Sequence, residues 1–266
     1  MPDAIVERDG HKLVITMNRP KRFNALSGQM LIRMYDAYEE ASSDPEIRCI
    51  LVTGAGGNFC AGADLRAMSG DADDGDREID VQARMARDPD LVYKALFRHY
   101  RPKKPILAAV EGVAIAGGTE ILQAMEIRVA GESARFGVSE ARWSLYPMGG
   151  STVRLPRQIP YTHAAEILLT GKHLSAREAL AVGLIGHVVP DGQALAKAHE
   201  IADVICANGP LAVEAITRTL HETDGMELDQ ALRHEWSYGS AVFQSEDAKE
   251  GPLAFSQKRK PNFKRK

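Results

Sequence analysis

The chain has 266 residues, 44% hydrophobic and 26% charged, with a formal net charge of −3. That is enough apolar material for one large core with a helical appendage, and the charge excludes bulk electrostatic binding of nucleic acid. Three widely spaced cysteines, Cys49, Cys60 and Cys206, argue against a disulfide framework or a zinc site; no signal-like or membrane-spanning apolar run occurs, so a reducing cytoplasm is expected.

In chain order, Ile5 to Arg8 and Leu13 to Met17 flank Asp9-Gly10 and predict a hairpin. A loop over 18–27 precedes a helix from Leu26 to Ala41. The runs at 47–56, 105–110 and 127–130 are almost continuously apolar, as in strands buried on both faces. Strands alternating with helices give an α/β class. The segment 69–90 opens with Gly70, Asp71, Asp73, Asp74, Gly75 and Asp76, an acidic loop read as solvated because nothing matches a calcium-binding pattern. From Tyr161 onward the pattern is helical: a capping box at Ser175-Ala-Arg-Glu178, then helices over 193–207, 211–222 and 226–243, with one short apolar stretch at Val188-Val189. The boundary between core and helical region is placed at 195/196. The basic tail QKRKPNFKRK is either a solvated end or a contact with a phosphorylated ligand or a neighbouring subunit.

Several chemistries lack their motifs. There is no G-x-S-x-G, no P-loop, and GAGGNF lacks the last glycine of a dinucleotide fingerprint. The His-Glu pairs at 199, 221 and 234 have no second histidine at zinc-binding spacing, so no metal is expected. Cys60 has no histidine patterned near it and reads as a packing residue.

What remains is glycine and carboxylate. GVAIAGGTE (112–120) breaks at Gly117-Gly118 just before a helix-like segment, where free N–H groups point outward and no Cβ obstructs a ligand. CAGADL (60–65) offers the same chemistry after strand 47–53. One amide from each loop would make an oxyanion hole, each donor contributing roughly 3 kcal/mol to a transition state. Glu120 lies about one turn into the helix, and FGVSE (136–140) supplies Glu140 after another strand-like segment. Two carboxylates around one water suit addition or removal of water. Spacing alone leaves open whether they meet or are two solvated glutamates.

NRPKRFNAL, GGNFCAGADL, VEGVAIAGGTEI, RFGVSEARW and YPMGGSTVRLPRQI stand in one order along the chain, and the ending FQSEDAKEGPLAFSQKRKPNF completes the set. Together they resemble the enoyl-CoA hydratases of the crotonase superfamily over about residues 5–263. The resemblance implies a spiral of ββα units with a C-terminal helical trimerisation region, and reversible hydration of trans-2-enoyl-CoA to 3-hydroxyacyl-CoA. It implies oxyanion amides at Ala63 and Gly117, catalytic Glu120 and Glu140, and a CoA groove along Asn24, Ala25, Leu26, Ala61, Asp64 and Leu65. It further implies a homotrimer or hexamer in which the tail, at Lys258 and Lys260, meets a neighbour's CoA. No cofactor is implied beyond the CoA of the substrate, and neither nucleic acid nor membrane is a partner. One departure is Pro147-Met148-Gly149-Gly150, a residue shorter than in many short-chain hydratases. With Trp143 and Tyr146 before it, the segment is expected to shape the acyl pocket, and the PMGGS form is similar to an actinobacterial subgroup with some bulky steroid side-chain thioesters among its substrates. An enoyl-CoA isomerase, another acyl-CoA reaction on the same scaffold, or a non-catalytic acyl-CoA-binding protein are the alternatives.

Overall fold

The computed structural model describes residues 1–69 and 78–266. The acidic stretch from Gly70 to Asp76 therefore lies outside the described residues.

The first strands, β1 (Ala4–Asp9) and β2 (Lys12–Met17), form an antiparallel hairpin with Asp9 opposite Lys12, and Gly10 turns the chain at φ +60. Next come α1 (Gly28–Ser43), capped by the Ser27 side chain, and β3 (Cys49–Gly54). Three short helices follow, α2 (Leu65–Met68), α3 (Val81–Arg87) and α4 (Leu91–Ala95), then β4 (Ile106–Val110), β5 (Val113–Ile115) and α5 (Gly117–Leu122). The middle of the chain holds β6 (Ile127–Gly131), β7 (Arg135–Gly137), α6 (Ser151–Gln158), α7 (Tyr161–Thr170), β8 (His173–Ser175), α8 (Ala176–Ala181) and β9 (His187–Val189). Four helices close it: α9 (Ala194–Ala207), α10 (Pro210–Glu222), α11 (Leu228–Phe243) and α12 (Asp247–Ser256).

Two sheets result. The larger has the order β1-β2-β3-β4-β6-β9 and is parallel from β2 onward; the smaller has the order β5-β7-β8. The apolar runs are central strands, and period-2 alternation divides their residues between two cores. Ile50, Val52, Ile106 and Ala108 face the main core, whereas Cys49, Leu51, Leu107, Ala109 and Val129 face α9. That helix presents Ala194, Ala198 and Ala202, three fully buried alanines spaced by one turn, so it approaches the sheet closely. The boundary at 195/196 thus falls inside a helix that belongs to the core. The peripheral part begins with α10, and α11 buries no residue at all.

The two sheets are traversed in step. β4 and β5, then β6 and β7, each give one strand to the large sheet and the next to the small one. β3 does the same less completely, its continuation bridging Cys60 to Ala114 in parallel. Ile115 lies opposite Gly137 in the parallel pair β5-β7. Three turns of the chain therefore end at one edge, and the residues after each (61–64, 116–118, 138–140) emerge together. The carboxyl ends of parallel strands are where open α/β sheets bind ligands. Sequence patterning caught only the strand-like segment at β7 and missed the small sheet as a sheet. Its strands are three residues long, too short to show alternation.

Candidate active site

These loops enclose a cavity of about 430 Å³, walled mainly by apolar side chains, with Ala63, Gly117, Glu120 and Glu140 in its lining. Four residues singled out from two glycine loops and two strand ends thus share one space.

The amides come together through close backbone packing. A Cβ on Gly117 would lie 3.4 Å from Gly62 Cα and 3.7 Å from the Ala63 nitrogen. Gly62 has φ +89, and a Cβ there would stand 2.9 Å from the Gly117 nitrogen, so only glycine lets the two loops touch. Gly118 serves a similar purpose, since a Cβ on it would sit 2.2 Å from the Cys60 carbonyl oxygen. Ala116 before them holds φ 51, ψ −124, a strained conformation for a residue with a side chain. Strain of this kind costs about 1–3 kcal/mol and persists where surrounding structure enforces it. Here β7 enforces it: the Ala116 N–H donates to Gly137 O at 2.7 Å, and Thr119 Oγ1 ties Ala114 to Gly137. Neither the Ala63 nor the Gly117 N–H donates a hydrogen bond among the described residues. Gly117 is the first residue of α5, where N–H groups have no intrahelical acceptor.

The two carboxylates differ. Glu120 is 4% exposed; Oε2 accepts from the Gly149 N–H at 3.0 Å and Oε1 from the Ser151 N–H at 3.1 Å. Burial raises its pKa above the ordinary carboxylate range, and these amide bonds, with Arg154, pull against that rise. Glu140 is more open, yet its Oε2 is buried and has no hydrogen-bond partner among the described residues. Burial, and then the charge of Glu120, push its pKa up to about 7. One carboxylate is a fixed acceptor; the other is free to exchange a proton near neutrality.

Leu26, Ala61, Leu65, Trp143 and Met148 also line the cavity, with Leu96, Leu145 and Tyr146. Trp143 and Tyr146 are 66% and 64% exposed, an apolar mouth open to solvent. Asn24, Ala25, Asp64 and Lys258 do not line it. Asn24 is fully buried, accepting from the Arg19 N–H and donating to Ala55 O and Asn58 O, a brace between two loops. Ala25 accepts from Arg19 Nη1 through its carbonyl, and Asp64 pairs with Arg19 at 3.0 Å. Their polar atoms are spent holding the loop that carries Leu26 and Ala63. Lys258 sits after α12 on the exposed C-terminal segment. Cys60 is fully buried with its thiol pushed up to about 12, inert packing behind the oxyanion loop. The histidine pairs lie elsewhere, His221 against Glu126 and His234 against Glu222. Among the described residues no group of three or more His, Cys, Asp or Glu is arranged to hold a metal ion.

Reading from motifs missed what holds Glu120. A Cβ on Gly149 would lie 2.6 Å from Glu120 Oε2, so this glycine makes room for the carboxylate it hydrogen-bonds. Ser151 opens α6 and offers its amide with the positive end of that helix. Adjacent glycines followed by serine were the visible signal, but they read as pocket shape.

Two sheets traversed in step, whose loops converge on paired amides and paired carboxylates, place the chain in the crotonase-like class of α/β proteins. The chain matches the enoyl-CoA hydratase/isomerase family over residues 8–266 and belongs to it. It is 58% identical to enoyl-CoA hydratase EchA19 of Mycobacterium tuberculosis, covering 98% of this chain and 96% of that one. Short-chain-enoyl-CoA hydratase of Clostridium acetobutylicum is 34% identical, over 97% of this chain and 96% of its own. The crystal structure of an enoyl-CoA hydratase from Mycobacterium tuberculosis superposes with a TM-score of 0.88 at 36% identity, covering both chains fully.

Proposed function

We propose that this chain is an enoyl-CoA hydratase, adding water reversibly across the double bond of a trans-2-enoyl-CoA to give the 3-hydroxyacyl-CoA. The observation that carries the reading is the buried Oε2 of Glu140, without a hydrogen-bond partner among the described residues, in the cavity shared with the amide-held Glu120. The thioester oxygen accepts from the Ala63 and Gly117 N–H groups, which polarise the conjugated system and stabilise the enolate charge as it forms. Glu120 accepts a hydrogen bond from the water and aims it at C3. Water oxygen bonds to C3 as the C2–C3 π pair moves toward the thioester. Glu140 takes the water's proton and returns it to C2 on the same face, base and then acid. No group beyond substrate and water is consumed. Incubation with trans-2-enoyl-CoAs from C4 upward, followed by loss of the conjugated thioester's absorbance, tests this; no loss with any chain length removes the proposal.

The mouth of Trp143, Leu145, Tyr146 and Met148 supports an acyl group that is long or bulky and apolar. In the same panel, kcat/KM is expected to rise with acyl size beyond C4.

Glu140 also carries a stability cost. Its folded pKa of about 7 lies above the ordinary 4.5, so the folded state holds this proton more tightly than the unfolded chain does. Stability is then lost as pH climbs from roughly 4.5 through 7. Glu140→Gln is expected to melt higher than wild type at pH 8, with the gap closing below pH 5. Equal melting temperatures at both pH values would show that burial does not strain this group.

Assembly follows from the outer helices. Trp236 and Phe243 on α11 are 76% and 84% exposed, and Leu228 and Leu232 on α11 and Ile216 and Leu220 on α10 are exposed as well. Such surface supports an interface between copies, hence a homotrimer or a pair of trimers, in which the tail around Lys258 reaches a neighbour's CoA. Sedimentation is expected to give a mass three or six times 29.0 kDa; a monomer at micromolar concentration would refute it.

A further inference from the structure

Arg154 stands out among the half-buried cations. It lies on α6, and its nearest charged groups include no carboxylate bonded to it. Instead Nη1 donates to Glu120 O at 3.3 Å and Gly149 O at 3.0 Å, and Nη2 to Phe97 O at 2.5 Å. Those carbonyls belong to three separate segments: the helix bearing Glu120, the turn donating to its carboxylate, and the chain just after α4, where Leu96 stands in the cavity wall. Gly150, at φ +113, leaves the guanidinium room, since a Cβ there would lie 3.2 Å from Arg154 Cζ.

We propose that Arg154 is a positioning residue for the hydration reaction, clamping the backbone of Glu120 and the Gly149 turn so that the carboxylate meets the attacking water at a fixed place and stays ionised. The inference rests on the proposed function above and adds to it a group that touches neither substrate nor water. A planar fork with several fixed donors brackets three carbonyls at once; a lysine supplies the charge without the bracket. The charge adds to the Ser151 and Gly149 hydrogen bonds, which with it lower the pKa of Glu120 against the rise that burial causes. The groups facing this pair from neighbouring elements are Glu140, whose ionisation the Glu120 charge opposes, and Arg98, Arg101 and Arg128, which repel Arg154.

The test compares Arg154→Lys and Arg154→Met with wild type in steady-state hydration across pH, with melting and sedimentation as controls for folding. Activity of the wild type is scored first, and its absence would remove the proposed function rather than this inference. With an active wild type, Arg154→Lys is expected to lower kcat by roughly 100-fold with KM little changed, the cost of misplacing a reacting group by about 1 Å. Its acid limb stays where the wild type has it, because the charge remains. Arg154→Met loses the charge as well, so Glu120 protonates more readily and its own contribution to the acid limb, distinct from that of Glu140, moves to higher pH. A purely structural arginine would change melting and lower kcat by one factor at every pH, leaving the limb in place. If Arg154→Met does not fold, Arg154→Lys decides with its melting temperature: wild-type kcat, or a kcat loss that comes with a lowered melting temperature, overturns the inference, and a kcat loss at unchanged KM and unchanged melting temperature sustains it.

Discussion

Glu140→Gln is expected to lower kcat for enoyl-CoA hydration by roughly 10²–10⁴-fold, the usual contribution of a positioned acid–base group, while KM changes little. The amide side chain fills the same space and leaves the cavity's apolar wall intact, so what disappears is proton exchange with water and C2. Glu120→Gln is expected to do comparable damage for a different reason. Its two oxygens accept from the Gly149 and Ser151 amides, and an amide NH2 placed there would oppose one of those donors. That variant should also shift Glu140. The charge of Glu120 raises the Glu140 pKa, so its removal should bring the proton-transfer limb of the residual activity to lower pH than the wild type's value near 7. Full turnover in both variants would show that the carboxylates are bystanders in an acyl-CoA pocket.

The second large effect concerns a group no side-chain substitution normally reaches. Gly117 is the first residue of α5, a position that tolerates proline because its N–H has no helical acceptor. Gly117→Pro replaces the donor by a methylene, and Gly117→Ala keeps it. The alanine Cβ meets Leu26 Cδ1 at 3.0 Å, the flexible end of a side chain, and is expected to cost modestly. The difference between the two variants isolates the amide, and kcat is expected to be about 10²–10³-fold lower for proline than for alanine. Equal rates would mean that the thioester oxygen is not held at Gly117.

The legible parts of this chain were those with a strong one-dimensional signature. The apolar runs became β3, β4 and β6 because strands buried on both faces need apolar residues throughout. The Ser175 capping box formed as written, both its hydrogen bonds present. Gly117-Gly118 pointed to close backbone approach, and the approach is real, to Cys60 and Gly62. What could not be read depends on register between distant segments. The small sheet joins three-residue strands separated in the chain by helices and, between β5 and β7, a strand of the other sheet, and only its pairing brings 61–64, 116–118 and 138–140 to one edge. The place of α9 against the large sheet was not legible because its alanines carry little hydrophobic signal one by one, although together they fit a sheet surface. Asn24 and Asp64 sat in the right motif, but motif position does not distinguish a residue that meets a ligand from one that braces the loop.

The most direct measurement is a crystal structure of the chain with a bound 3-hydroxyacyl-CoA. The thioester oxygen should lie within hydrogen-bonding distance of the Ala63 and Gly117 nitrogens, with the 3-hydroxyl oxygen between the Glu120 and Glu140 carboxylates. A thioester held outside that cavity, or a hydroxyl in contact with neither glutamate, would contradict the account.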